Sequence, residues 1–273
     1  MLSDIVPGHI LPGMPTAPSE QDLMPRNDSL KSRYESVLAR IAQAAERGGR
    51  RADDIVLVAV TKNASIDQIR ELLALGHTDL GENREQQLTQ HAALVDEFLQ
   101  RCRDVPSAGR GRVPETVRWH MIGHLQRNKV RRVLPVCRLV HSVDSLRLAE
   151  ELQSVAAARL DHPAEILIQV NVAGERQKHG IAPAAARHLI EQIDTMFNLR
   201  VRGLMCLAPL VEDTKEIRQV FTRCHELFDD IRRSPEVHER FDILSMGMTH
   251  DFEIAIECGA NVVRIGTAIF GPG

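Results

Sequence analysis

The sequence predicts an α/β fold: a single (β/α)8 TIM barrel preceded by one extra N-terminal helix. Three observations predict it. The chain has 273 residues, near the size of about 250 typical of such barrels. Eight short apolar runs alternate with amphipathic stretches of helical period, the rhythm of βαβ units. The first run ends in Thr61-Lys62-Asn63-Ala64, without the GxGxxG turn that usually follows the first strand of an open, doubly wound sheet.

Residues 1–27 are rich in Pro, Ser and Gly and show no apolar period. They are expected to form a flexible tail, leaving 28–273 for the barrel. Asp28-Ser29 cap a helix running to about Arg47, with Leu30, Tyr34, Val37, Leu38, Ile41 and Ala44 at helical spacing, and Gly48-Gly49 end it. The expected strands are Ile55–Thr61, Thr78–Leu80, Val117–Met121, Leu139–His141, Glu165–Asn171, Arg200–Met205, Asp242–Ser245 and Val262–Ile265. Most read as continuous apolar runs, as parallel strands buried on both faces do. The expected helices between them lie near Ile66–Leu75, Arg84–Gln100, Gln126–Leu134, Ser145–Arg159, Pro183–Ile193, Lys215–Arg232 and Asp251–Glu257.

Composition excludes several classes of function. Aromatic residues make up 3% of the chain, too few for a base-stacking surface. A net charge of -3 argues against nucleic acid or an anionic membrane as partner. The five cysteines are widely spaced, odd in number and form no CxxC pair. That speaks against a disulfide framework and a structural zinc site, and for a reducing, cytoplasmic setting. No apolar run reaches the roughly 18 residues of a membrane span. The N-terminus lacks the basic and apolar regions of a signal peptide.

Sites in such barrels lie at the C-terminal ends of the strands. Side chains alternate along a strand, so Lys62 shares a face with Val56, Val58 and Val60. If that face points inward, a partly desolvated Lys62 amine stands in the mouth as a nucleophile toward an aldehyde. A lysine snorkelling from a strand end into water fits the same residues. Glu82 or Asn83 follows strand two, placed to cap the next helix. His120 and His124 are four apart, but Gly123 and the strand pattern oppose a shared helical face, so no metal is expected. Gln169, Asn171 and Lys178-His179-Gly180 follow strand five.

The loops after strands seven and eight are the usual phosphate site of this fold. Here they read Ser245-Met246-Gly247-Met248-Thr249 and Gly266-Thr267, small enough for backbone N–H groups to approach an anion. Asp251 and Glu253, in the next helical turn, would repel phosphate. The expected phosphate position is therefore against the Met246–Met248 amides and the Gly266–Thr267 loop, with plain turns as the alternative. Arg264 lies inside an apolar strand and needs a partner: a barrel carboxylate, or the ring nitrogen of a ligand.

Taken in order, several segments resemble the pyridoxal phosphate homeostasis protein family, whose barrel is similar to the N-terminal domain of alanine racemase. They are Val58-Ala59-Val60-Thr61-Lys62, Gly81-Glu82-Asn83, Trp119 through Lys129, His141-Ser142-Val143-Asp144, Gln169-Val170-Asn171 with Lys178-His179-Gly180, Gly203-Leu204-Met205, Leu244 through Met248, and Arg264-Ile265-Gly266-Thr267 with Ile269-Phe270-Gly271. The resemblance runs from about Leu30 to Gly271. It implies a pyridoxal 5'-phosphate (PLP) cofactor held as a Schiff base on Lys62. It implies Ser245, Gly247, Met248, Gly266 and Thr267 around the phosphate, Arg264 at the pyridine nitrogen and Asn83 in the ring pocket. Thr61, Arg84 and Thr249 depart from the family's usual Ser, aromatic and Ser.

The resemblance also separates two functions. Alanine racemase takes its second base, a tyrosine, from an extra β-domain. This sequence has one tyrosine, Tyr34, in the first helix, and ends soon after the eighth strand. The expected function is therefore a non-catalytic, monomeric PLP carrier in PLP and amino-acid homeostasis, with PLP-dependent apo-enzymes as recipients. A weak PLP-dependent amino-acid racemase is the alternative. A metal-dependent barrel hydrolase, a third class, would need the histidines and acids to converge.

Overall fold

The computed structural model describes residues 29–104, 113–175, 179–209, 211, 213–234 and 240–272. The tail expected over 1–27 and the motif residue Lys178 lie outside them.

Helix α1 (Leu30–Arg47) begins where Ser29 Oγ accepts the Ser32 amide at 3.2 Å, which satisfies one of the orphan donors of a helix start. Its stripe Leu30, Tyr34, Val37, Ile41, Ala44 and Ala45 is buried, while Leu38, expected to share it, is exposed. This extra helix packs on α8 (Phe252–Glu257) and α9 (Thr267–Phe270). The ion pairs Arg40–Glu253 and Arg47–Glu257 fasten its outer edge.

Eight parallel strands close into a barrel in sequence order: β1 (Val56–Val60), β2 (Asp79–Glu82), β3 (Arg118–Met121), β4 (Leu139–Val143), β5 (Ala164–Gln169), β6 (Leu199–Met205), β7 (Ile243–Ser245) and β8 (Val262–Ile265). Closure pairs β1 with β8, with Val58 beside Arg264. The helices α2 (Ile66–Ala74), α3 (Glu85–Asp104), α4 (Val130–Val133), α5 (Leu146–Arg159), α6 (Ala186–Asp194) and α7 (Thr214–Arg232) cover the outside. Two large apolar clusters lie between this ring and the strands. One includes Leu57, Ala59, Ile69 and Phe252, the other Ile166, Ile168, Phe221 and Phe228. Inside the barrel the apolar cluster is small, built on Leu139, Leu167 and Met205, because polar side chains occupy much of the interior.

The structure corrects three expected elements. Strand β2 runs on through Gly81-Glu82, where Gly and Glu hide the strand pattern, because pairing with β3 from Asp79↔Arg118 to Glu82↔Met121 holds it extended. The helix expected over Gln126–Leu134 is a 310 turn (Arg127–Lys129), the single turn α4 and a second 310 turn (Leu134–Val136). Neither Gln126 nor Lys129 provides a side-chain cap, and Pro135 withholds an N–H. Helix α9 stands where the sequence showed only the loop after β8. In β6, Gly203 has φ 149°, and a Cβ there would lie 1.8 Å from the Ile243 carbonyl oxygen. Only glycine lets β7 approach this closely.

Candidate functional site

Lys62 occupies the turn after β1 with its side chain exposed at the mouth, and its carbonyl accepts from Gln87 Nε2 at 3.0 Å. It continues the row of Val58 and Val60, both buried. Gly266 lies against that row, since a Cβ there would be 3.0 Å from the Val60 carbonyl oxygen. The amine-bearing turn and the Gly266–Thr267 loop are therefore neighbours. Thr267 opens α9, whose first amides have no partner within the helix. Asn83 sits exposed in the bend after β2, and the loop after β3 approaches so closely that a Cβ on Gly123 would lie 2.1 Å from the Asn83 carbonyl oxygen.

On the β7 side, Ser245 is fully buried and Met248 partly so. Gly247 has φ 92°, and a Cβ would press on Ala255 Cβ at 2.7 Å and Phe252 Cα at 2.8 Å, so the turn requires glycine. The expected row of amides from Met246 to Met248 is corrected. The Met246 amide donates to the Val262 carbonyl at 3.1 Å, and the Met248 amide to Asp251 Oδ1 at 2.5 Å. Of the expected phosphate backbone, this leaves Gly247 and the Gly266–Thr267 loop. The two acids expected to repel phosphate have partners inside the protein. Asp251 is buried beneath Met248, and Glu253 turns to Arg40. Burial pushes the Asp251 carboxyl upward, against the pull of the Met248 amide and the Arg264 charge.

Arg264 is 3% exposed. Its Nη1 donates to Ser245 Oγ at 2.6 Å and its Nη2 to the Cys206 carbonyl at 3.0 Å. Among the described residues no carboxylate lies within ion-pair distance of it, so the carboxylate alternative left open by the sequence is removed. Burial lowers its pKa from the ordinary arginine value.

From Arg264 a buried chain of hydrogen bonds crosses the barrel interior. Ser245 Oγ meets His141 Nδ1 at 3.0 Å, His141 Nε2 meets His120 Nδ1 at 3.0 Å, and His120 Nε2 meets Asp79 Oδ1 at 3.1 Å. Arg118 Nε closes the far end on Asp79 Oδ1 at 2.8 Å. The two ends fix every direction, because a guanidinium only donates and a carboxylate only accepts. Arg264 donates to Ser245, Ser245 to His141, His141 to His120 and His120 to Asp79. Burial depresses His141 well below the usual histidine range, and the neighbouring His120 and Arg264 add to it. Burial alone would raise Asp79, but hydrogen bonds from Arg118 and His120 hold it well below the carboxylate range. Sequence reasoning missed this chain. Its trace was a polar residue at inward positions of successive strands, and His120 had been weighed only as a metal partner of His124.

The depressed His141 makes stability depend on pH. His77, buried between Tyr34 Oη and the Asp79 carbonyl, is likewise lowered by burial. Both native imidazoles stay neutral while the unfolded ones protonate below about pH 6.5. Their stabilisation is complete above that pH and is lost as pH falls, by up to about 1.4 kcal/mol per pH unit for each. Urea midpoints are expected to drop between about pH 7.5 and pH 5.5, and to drop less in His141→Asn. An equal drop in the variant would remove His141 from this account.

Residues 34–272 match the family model described as alanine racemase, N-terminal domain. The pyridoxal phosphate homeostasis protein of Aquifex aeolicus is 38% identical over 240 residues, 88% of this chain and 96% of that protein. The chain belongs to the pyridoxal phosphate homeostasis protein family. Among solved structures, PipY of Synechococcus elongatus with PLP bound is similar to this family member, with a TM-score of 0.69 and 30% identity over 85% of this chain and 100% of that one. An alanine racemase of Clostridium difficile shares the barrel, with a TM-score of 0.65 over 90% of this chain and 57% of that one. At 14% identity that likeness speaks to fold alone. The family and the fold read from the ordered motifs thus hold.

Proposed function

We propose that this family member binds PLP as a Schiff base on Lys62 and serves PLP and amino-acid homeostasis without efficient catalysis of its own. The observation that carries this reading is one juxtaposition. An exposed amine stands beside the Gly266–Thr267 loop, and the same end of the barrel holds a buried guanidinium that has no carboxylate partner among the described residues. The residues fit a phosphorylated aldehyde on three counts. The amine meets the aldehyde, the Gly247 and Gly266–Thr267 backbone meets the phosphate, and Asn83 and Arg264 meet the ring. The acids nearest the phosphate loops face away from it into protein contacts. The relative with PLP bound supports the same cofactor.

When bound, PLP supplies an electrophilic carbon that amines capture and a ring that withdraws electrons. The protein's residues restrain that chemistry. Arg264 keeps its proton, so a ring nitrogen facing it serves as an acceptor and the ring is a weaker electron sink. Racemisation also needs a second base on the far face of the substrate. Tyr34, the tyrosine of this sequence, lies on α1 with its hydroxyl 3.2 Å from His77 Nδ1, against the outside of the barrel. Ser245 and Asp251 are committed to Arg264, His141 and the Met248 amide.

We further place the protein in the cytoplasm as a monomer that hands PLP to apo-enzymes. Free cysteines, two of them buried, fit a reducing compartment. Among the described residues no helix is long and apolar enough to cross a membrane.

Reconstitution with PLP, borohydride reduction and peptide mapping test the site. The pyridoxyl adduct is expected on Lys62. Lys129 is the nearest competitor in the motif, but its amine is held by Glu85 at 2.8 Å. An adduct there, or on Lys178, would overturn the assignment. Rapid turnover of any amino acid by the purified protein would replace the carrier reading with the racemase.

A further inference from the structure

Three side chains at the barrel mouth are unused by the cofactor reading. His124 follows β3, Asp144 follows β4 and His179 follows β5. In a barrel closed in sequence order, these strands stand across the mouth from β7, β8 and β1. The two imidazoles are stacked, with ring centroids 4.0 Å apart and planes 11° from parallel. Each presents Nδ1 to the same oxygen, Asp144 Oδ2, at 3.8 Å from His124 and 3.9 Å from His179.

These distances are too long for hydrogen bonds, which need about 2.7–3.2 Å. Among the described residues the Asp144 carboxylate receives no hydrogen bond, although its side chain is only 15% exposed. One divalent ion between the three groups would give this carboxylate and both Nδ1 atoms a partner. Nitrogen and oxygen ligands bind zinc at about 2.0–2.2 Å, which puts tetrahedral ligand atoms about 3.3–3.5 Å apart. Here the three ligand atoms lie within 4.8 Å of one another, so closing in needs movements of up to about 1.4 Å and a rotation of the two partly exposed imidazoles out of their stack, since each in-plane nitrogen lone pair must point at the ion.

The supports are rigid. Asp144 directly precedes Ser145, whose hydroxyl caps α5. The backbone of His179 is pinned where its carbonyl accepts Gln169 Nε2 at 3.1 Å and where Ile181 bridges Val170. An open groove of about 700 Å³ adjoins His124 and Asp144, and Arg127, Asn128, Arg147 and Glu151 also line it. Two imidazoles and one carboxylate leave further coordination positions open.

We propose that His124, Asp144 and His179 form a binding site for one divalent transition-metal ion such as zinc, with open coordination positions toward the adjoining polar groove. The pair suggested by spacing, His120 and His124, is not this site, because His120 belongs to the buried chain. The proposal departs from the sequence expectation that no metal is held. It is also independent of Lys62.

The test uses full-length, tag-free protein, stripped with chelator and without PLP, titrated with ZnCl2 by calorimetry and with Co2+ by visible absorbance. One Zn2+ per chain is expected, with Co2+ showing ligand-field bands. Asp144→Asn and His179→Gln should each weaken binding by about 100-fold or more, about 2.7 kcal/mol. His162→Gln, at an exposed histidine elsewhere, should leave it unchanged. Circular dichroism melts should match wild type, since all the substituted side chains lie at the surface or rim. Absence of binding, or binding that survives Asp144→Asn and His179→Gln, would overturn the proposal.

Discussion

Lys62→Ala is expected to lose the yellow colour of the PLP-loaded protein and the borohydride-trapped adduct, and to weaken PLP retention by roughly two orders of magnitude, about 2.7 kcal/mol. On the proposed reading Lys62 would hold the cofactor through a reversible covalent bond to its aldehyde carbon, in addition to the contacts made by the backbone loops. Alanine removes that bond and leaves the phosphate loops in place. Weak, colourless binding should therefore persist, and free phosphate should compete with it. The fold should be unaffected, because the side chain is exposed and the turn is fixed by the backbone, with the Lys62 carbonyl held by Gln87. Equal loss of thermal stability and of PLP would mean that the residue is structural. A retained chromophore would mean that another amine carries the cofactor.

Arg264 is expected to give effects of opposite sign on stability and on binding. It is a buried cation whose partners are a hydroxyl and a carbonyl. A buried charge lacking a counter-ion opposes folding, and even a buried ion pair can often be replaced by apolar side chains of similar volume with a neutral or stabilising effect of about 1–4 kcal/mol. Against that, Arg264→Met leaves the Cys206 carbonyl unpartnered, at a cost of about 1–3 kcal/mol. The cofactor-free Met variant is therefore expected to be no less stable than wild type in urea titrations. PLP retention in the same variant should fall by about 1.5–3 kcal/mol, because a charge-assisted hydrogen bond to the ring is lost. The combination of a stable apo-protein and poor retention marks a residue kept for its ligand. A strongly destabilised variant with unchanged retention would refute the ring-nitrogen role and make Arg264 a structural anchor of the Ser245–His141 chain.

The barrel was legible because its evidence is local. Parallel strands buried on both faces must be apolar along their length, and runs such as Val56–Val60 and Ile166–Ile168 announce themselves at that spacing. The helical stripes and the Ser29 and Ser145 caps are equally local. Lys62, Gly247 and the Gly266–Thr267 loop could be singled out because chain order alone puts them at the ends of strands one, seven and eight. Where local signal fails, as at Gly81-Glu82 in β2 and over Gln126–Leu134, pairing with neighbours or the want of a cap decided the outcome.

The sequence by itself thus determined the strand–helix rhythm, the family and the lysine at the end of the first strand, all properties of neighbours along the chain. Only the tertiary structure decided where the polar groups of the interior meet. Asp79, His120, His141, Ser245 and Arg264 come from five different strands and join in one line of hydrogen bonds. Likewise His124, Asp144 and His179 come together from three loops around one carboxylate oxygen. Such meetings depend on barrel closure and strand stagger, which set distances between residues far apart in sequence, and no periodicity within one segment encodes them.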